Sequence, residues 1–124
     1  MKNNPEVKSE MTFELEESGD GVTILIKHDY YSSDSDHGRD LLAAMIDSIK
    51  RNYKIDQVLL IDTGVKILDN ALLDMYLLCN YYLTYVCKES LDTYGVAATS
   101  GVEVVDKSVI FDILINSRTV LTIE

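Results

Sequence analysis

The sequence predicts an α/β domain, with a mainly parallel sheet of about five strands and helices on both faces. Three observations carry that expectation. Short apolar runs of strand character alternate with stretches of helical periodicity from Val22 to Ile123. The run Val58-Leu59-Leu60-Ile61 is continuously apolar, as in strands covered on both sides. Strand ends lead into turn or capping residues, first at Asp62-Thr63-Gly64-Val65-Lys66 and again at Lys88-Glu89-Ser90.

In chain order, Met1 to Met11 are polar, hold the only proline and read as a flexible leader, with a single domain over residues 12–124. Thr12 to Glu17 alternates Phe13 and Leu15 with polar neighbours. Ser18-Gly19-Asp20-Gly21 then supplies a turn into Val22-Thr23-Ile24-Leu25-Ile26, so an extra N-terminal edge strand is expected beside the first core strand. A polar loop from His28 to His37 precedes a helix with its N-cap region expected at Asp36, in which Leu41, Leu42, Met45, Ile46 and Ile49 recur at helical spacing.

After Val58 to Ile61 and its turn, Ala71 to Tyr82 reads as a helix with almost no polar face. A surface helix would show one, so this segment is expected to be covered by another subunit. Leu83 to Val86 is the third strand, Ser90 to Tyr94 a short helix and Gly101 to Val104 a fourth strand. A helix through Val109, Ile110, Ile113 and Leu114 starts at Asp106 or Ser108, and Arg118 to Ile123 closes as the fifth strand.

Composition narrows the functions. A formal net charge of -10 leaves few cations for phosphates, which argues against nucleic acid and anionic membrane surfaces. The apolar run Ala71 to Cys87 is broken by Asp74, Asn80 and Thr84 and falls short of a membrane span. The polar first dozen residues do not read as a secretory signal, and Cys79 and Cys87 form no small disulfide framework, so a reducing cytoplasmic setting is expected. His28, His37, Asp29, Asp34 and Asp36 lack the spacing of strong metal motifs, and no metal or cofactor is expected.

The chemistry centres on Cys87, delivered by an apolar run to the mouth of a polar turn. In open α/β sheets that junction, at a strand's carboxyl end, is where ligands bind. Helix-start N–H groups and Lys88 would favour a thiolate there, while Glu89 and the acidic balance would oppose it. A small buried residue at a strand end is the other reading. Ser90 stands three residues after Cys87, which removes Cys-x-x-Cys dithiol exchange. It is expected to cap the following helix or to donate to sulfur. Asp62 and Lys66 would face the same crevice if the second and third strands are neighbours, and Gly64 permits close backbone approach. Cys79, inside the apolar helix, is expected to pack.

Taken together, Gly38-Arg39-Asp40-Leu41-Leu42, the strand and turn Val58 to Lys66, and Val86-Cys87-Lys88-Glu89-Ser90-Leu91-Asp92-Thr93-Tyr94-Gly95 resemble the DsrE-like superfamily. The likeness is greatest to the C-terminal domain of YedF-type proteins linked to sulfur and selenium metabolism, and it covers about Val22 to Glu124. Family members usually read Asn-x-Gly-Val-Lys at the turn and Cys-Gly-Thr-Cys-Leu at the cysteine. Here Asp62 replaces the Asn, Lys88 and Glu89 replace Gly-Thr, and Ser90 replaces the second cysteine, while Cys87 matches the first.

The resemblance implies a three-layer α/β/α fold, homo-oligomers, and sulfur handling in relatives that keep the thiols. Two functions follow as expectations. One is a sulfur or selenium relay, a carrier more than a turnover enzyme, with a persulfide on Cys87 and with Asp62, Thr63, Gly64, Lys66 and Ser90 around the ligand. Its partners would be a donor or acceptor protein. The other is a non-catalytic oligomeric binding or scaffolding module in which Cys87 is structural.

Overall fold

The computed structural model describes residues 21–71, 73–74 and 82–124. Five strands, β1 (Val22–Ile26), β2 (Ile55–Leu60), β3 (Leu83–Cys87), β4 (Glu103–Val105) and β5 (Val120–Ile123), form one sheet in the order β4-β3-β2-β1-β5. Every pairing is parallel, as the alternation of strand and helix predicts. Between the strands lie α1 (Asp36–Asn52), a 3₁₀ helix (Asp62–Asp69), α2 (Lys88–Tyr94) and α3 (Lys107–Asn116).

The topology sets which helix covers which face. Strands β1 to β4 step in one direction, and right-handed crossovers place α1, the 3₁₀ helix and α2 on one side of the sheet. The chain then returns past β1 to β5, so α3 lies on the opposite side. Packing follows this division. Ile24, Ile26, Val58, Leu60 and Val86 meet Leu42, Ile46 and Ile49 of α1, Val65 and Ile67 of the 3₁₀ helix and Leu91 of α2. Leu59 and Cys87, on the alternate strand positions, pack with Ile110 of α3, joined by partly buried Leu25, Tyr85 and Val105. Each fully buried aliphatic side chain on the first side contributes roughly 1.5–3 kcal/mol by leaving water.

Local chemistry fixes the element ends. Ser35, not Asp36, caps α1, its Oγ accepting from the Gly38 N–H at 3.0 Å. Asp36 supplies the first-turn negative charge that the helix dipole favours. The turn after β2 continues as a 3₁₀ helix to Asp69, and within it Gly64 lies so close to β1 that an added Cβ would clash with the Ile26 carbonyl oxygen. Gly95, at φ 65°, ends α2 in the left-handed region that glycine adopts without penalty.

The edge strand expected over Thr12 to Glu17 lies outside the described residues. Strand β1 carries β2 on one side and β5 on the other, so β4 and β5 are the edges of the described sheet. Most of the apolar stretch Ala71 to Tyr82, with Cys79, also lies outside them. Within that stretch Leu73 is buried, and the Asn70 side chain accepts from the Leu73 N–H at 3.2 Å.

Candidate functional site

Alternation along β3 decides where the cysteine points. Val86 faces the side covered by α1, so Cys87 faces the side covered by α3, at the last position of the strand and beside Val105 of β4. Cys87 is also the N-cap of α2, in extended geometry and with no side-chain cap bond. Its thiol is 5% exposed and forms part of a cavity of about 240 Å³ whose walls include Ile61, Ser90, Tyr94, Ile110 and Phe111.

Glu89 organises this cavity. The Cys87 Sγ donates to the Glu89 Oε1 at 3.6 Å, and the same oxygen accepts from the Lys107 N–H at 2.9 Å. One carboxylate oxygen thereby ties the start of α2 to the start of α3 across the thiol. A hydrogen bond from Thr93 Oγ1 to the Glu89 carbonyl, 2.8 Å, and an ion pair between Lys88 and Asp92, 3.3 Å, hold the short helix on its outer side. Lys88 therefore turns toward Asp92 rather than standing over the sulfur.

The other residues singled out from the sequence divide into two groups. Ser90 lines the cysteine cavity, and Asp62 and Lys66 join it through contacts with Ser90 and Tyr94. The Ser90 Oγ accepts from the Asp62 N–H at 2.8 Å, so Ser90 links α2 to the 3₁₀ helix instead of capping α2 or donating to sulfur. Asp62 stands at φ 52°, a left-handed conformation that Asp tolerates better than most residues, and its Oδ1 accepts from the Tyr94 hydroxyl at 2.5 Å. That bond, with lesser contributions from burial and the Asp62 charge, raises the Tyr94 phenol above the usual tyrosine range. The Lys66 ammonium lies 5.3 Å from the centre of the Tyr94 ring, a cation–π distance.

Thr63 and Gly64 form the second group and turn to the end of β1. The Thr63 hydroxyl contacts His28 Nδ1 at 2.8 Å and donates to the Lys27 carbonyl, while the Gly64 N–H donates to the carbonyls of Ile61 and Lys27. The N–H groups of Asp62 and Gly64 are thus both committed within the fold. Beyond Thr63, His28 stacks on Tyr30 with ring centres 4.9 Å apart. Among the described residues, no three His, Cys, Asp or Glu side chains are grouped to hold a metal ion.

Sequence reasoning did not single out Tyr94, Lys107 or Phe111 as site residues, and treated Glu89 only as a charge opposing the thiolate. Glu89 was the legible one, since a carboxylate two residues past a strand-end cysteine sits in the same helix start. Lys107 and Phe111 arrive from a helix twenty residues further on, and only the crossover from β4 to β5 brings them over Cys87.

A larger cavity, about 530 Å³, opens on the same side of the sheet but at the amino ends of β1 and β2. Its inner polar groups satisfy one another: the Thr23 and Ser117 hydroxyls are 2.8 Å apart, and the Gln57 amide donates to Thr23 at 3.0 Å. Asp56, Asp112 and Arg118 also line it, and Cys87 does not.

This parallel sheet, with β1 inside and α3 the one described helix over the second face, is a YchN-like α/β fold. The YchN protein of E. coli matches it with a TM-score of 0.57 at 17% sequence identity, over 83% of this chain and 98% of that one. MTH1491 of Methanobacterium thermoautotrophicum, described as a protein of unknown function, matches with a TM-score of 0.59 at 16% identity, over 82% of this chain and 96% of that one. At these identities the likeness is one of fold. No protein-family model and no curated protein sequence matches the chain. No helix among the described residues is long and apolar enough to cross a membrane.

Proposed function

We propose that the protein is a single-thiol sulfur carrier of the YedF-like kind, accepting a sulfane sulfur on Cys87 and handing it to a partner protein. One observation carries the reading: the thiol of Cys87 lies at the carboxyl end of β3, in a cavity, where parallel α/β sheets place their chemistry. The Cys87 thiolate attacks the outer sulfur of a donor persulfide, R–S–SH. The S–S bond of the donor breaks, a new S–S bond forms on Cys87, and the donor leaves as a thiol after taking up a proton. Transfer onward is the same exchange with an acceptor thiolate. Selenium would travel as the corresponding selenopersulfide, and the lack of a neighbouring thiol after Cys87 suits carriage rather than internal disulfide release.

The test is incubation with a persulfide donor followed by intact-mass and peptide mass spectrometry. A gain of one sulfur atom on Cys87, absent from a folded Cys87→Ser variant, is the expected result. No adduct from mild acid to mild base would overturn the proposal.

A second reading, an oligomeric binding or scaffolding module, draws on the apolar side chains that α3 turns outward. Ile115 is 79% exposed and Phe111 52%. A second copy of the chain is the occupant that this reading predicts. Under it, Phe111→Asp and Ile115→Asp each lower the mass measured by sedimentation, since each would bury a charge in an apolar contact. A monomeric unmodified chain would defeat it.

A further inference from the structure

We infer that the Cys87 cavity selects its sulfur donor by charge, admitting neutral or cationic donors and turning away anionic ones, with Glu89 as the specificity-determining residue. The inference rests on the carrier reading for its substrate class. It deepens that reading by stating which donors reach the thiol.

Three observations point the same way. The Glu89 Oε1 is 3.6 Å from the sulfur, inside the space that the approaching atom must share. The start of α3, a ten-residue helix whose positive end is the natural seat for an anion, is already filled by the chain's own carboxylates: Glu89 accepts from the Lys107 N–H, and Asp106 from the Val109 N–H. The N–H groups of Asp62 and Gly64, in the turn after β2, are spent on Ser90 and on backbone carbonyls. An anionic donor therefore meets the Glu89 carboxylate beside the sulfur and finds these N–H groups taken, with the Lys107 side chain as the cation in the lining. Ile61 and Ile110 make that side of the cavity apolar, and a charge repulsion beside such walls is less screened than in bulk solvent.

Size narrows the class further. About 240 Å³ is below the usual range of a small-molecule pocket, so it receives the sulfane end of a donor and a few further atoms rather than a whole cofactor. Thiosulfate and hydroselenide ions are disfavoured on charge. An alkyl persulfide that enters in its protonated form, R–S–SH, or a persulfide presented beside a cationic side chain of a partner, fits.

Methanethiosulfonates of matched size test this. With each reagent the Cys87 thiolate attacks the sulfenyl sulfur, the S–S bond breaks, a mixed disulfide forms and methanesulfinate leaves. Rates are measured at physiological salt with trimethylammonium-ethyl and sulfonatoethyl reagents, and their ratio is divided by the ratio for free 2-mercaptoethanol. Taking the ratio cancels anything that acts equally on the thiol itself. The readout is restricted to Cys87 by peptide mass spectrometry, and circular dichroism verifies that each variant is folded.

The unmodified protein is expected to prefer the cation by about tenfold or more, the scale of a unit charge a few ångströms away at partial burial. Glu89→Gln should remove most of that preference. Asp92→Asn, which deletes an exposed carboxylate already paired with Lys88, should leave it, because charges in water are screened far more than one beside the thiol. An unchanged ratio in Glu89→Gln, or an equal loss in Asp92→Asn, overturns the inference. The carrier reading fails separately, by the absence of a sulfur adduct from a neutral persulfide donor on a thiol that both reagents label.

Discussion

The two faces of one sheet differ sharply. Toward α1, the 3₁₀ helix and α2, the strand side chains Ile24, Ile26, Val58, Leu60 and Val86 are at most 1% exposed. On the other face α3 is the one described helix, Leu25 and Tyr85 are only partly buried, and Leu83 and Phe111 are about half exposed. The first face holds the fold together, and the second leaves room for a cavity. Cys87 falls on the second because it follows Val86 by one residue, and a one-residue slip in β3 would bury the thiol against α1 and abolish the site.

The largest expected effect tests the contrast directly. Leu60→Ala, at a fully buried position, should lower unfolding free energy in urea by about 2–5 kcal/mol, through lost burial and the cavity left behind. Ile115→Ser should change it by less than about 0.5 kcal/mol, as surface substitutions usually do. A comparable loss at Ile115 would mean that the thin face is covered in solution, which would move the balance toward the oligomeric module.

Gly64→Ala comes next. The added methyl would meet the Ile26 carbonyl oxygen at 2.4 Å, and a backbone atom between two paired strands has no cheap way to retreat. A loss of about 1–3 kcal/mol is expected in the same urea measurement. A neutral substitution would show that the contact between the 3₁₀ helix and β1 is softer than the sealed face requires.

A smaller effect sharpens the description of the cavity rim. The Tyr94 phenol is held above the ordinary range first by its hydrogen bond to Asp62. A carboxylate acceptor favours the neutral phenol, so this bond supports the fold at neutral pH and its contribution is lost as alkaline pH carries Tyr94 through its raised value. Asp62→Asn keeps a side chain that tolerates the left-handed backbone while removing the charge. Ultraviolet titration should then show one tyrosine ionising at lower pH, missing when Tyr94 is also replaced by Phe. No shift in any tyrosine would dissociate Asp62 from Tyr94 in solution.

How much of this was legible in the sequence follows from the range of each signal. Val22 to Ile26 reads as a strand from its own composition, and a helix start at Asp106 or Ser108 from their place before Val109 and Ile110, because both signals are local; the structure gives the cap to Asp106. Cys87 at a strand end was legible for the same reason. The separation of Thr63 and Gly64 from Asp62 was not, since three consecutive residues of a 3₁₀ helix point in three directions and only the fold shows which direction holds the thiol. Ser90 was misread as a cap because α2 starts two residues earlier, at Lys88, with Cys87 itself in the capping position. The roof of the cavity, Phe111 and Lys107, depends on a crossover that no local pattern encodes.

The smallest effect concerns what holds that roof in place. Asp106 caps α3: its Oδ1 accepts from the Ser108 hydroxyl at 2.6 Å and from the Val109 N–H at 3.2 Å, and these bonds hold its carboxyl below the usual range, the Ser108 bond most strongly. A carboxyl depressed in the folded state adds stability above its unfolded value and loses it as the pH falls through the folded one. Asp106→Ala should therefore lower the melting temperature modestly at neutral pH, and the gap should close as the medium is acidified below about pH 4, where unfolded aspartates protonate. Because α3 packs over Cys87 through Ile110, the same variant should also speed alkylation of the thiol at neutral pH. A constant melting gap across the acid range would show that the cap acts without its charge. Unchanged alkylation would show that the thin face stays closed even when the helix that covers it is loosened.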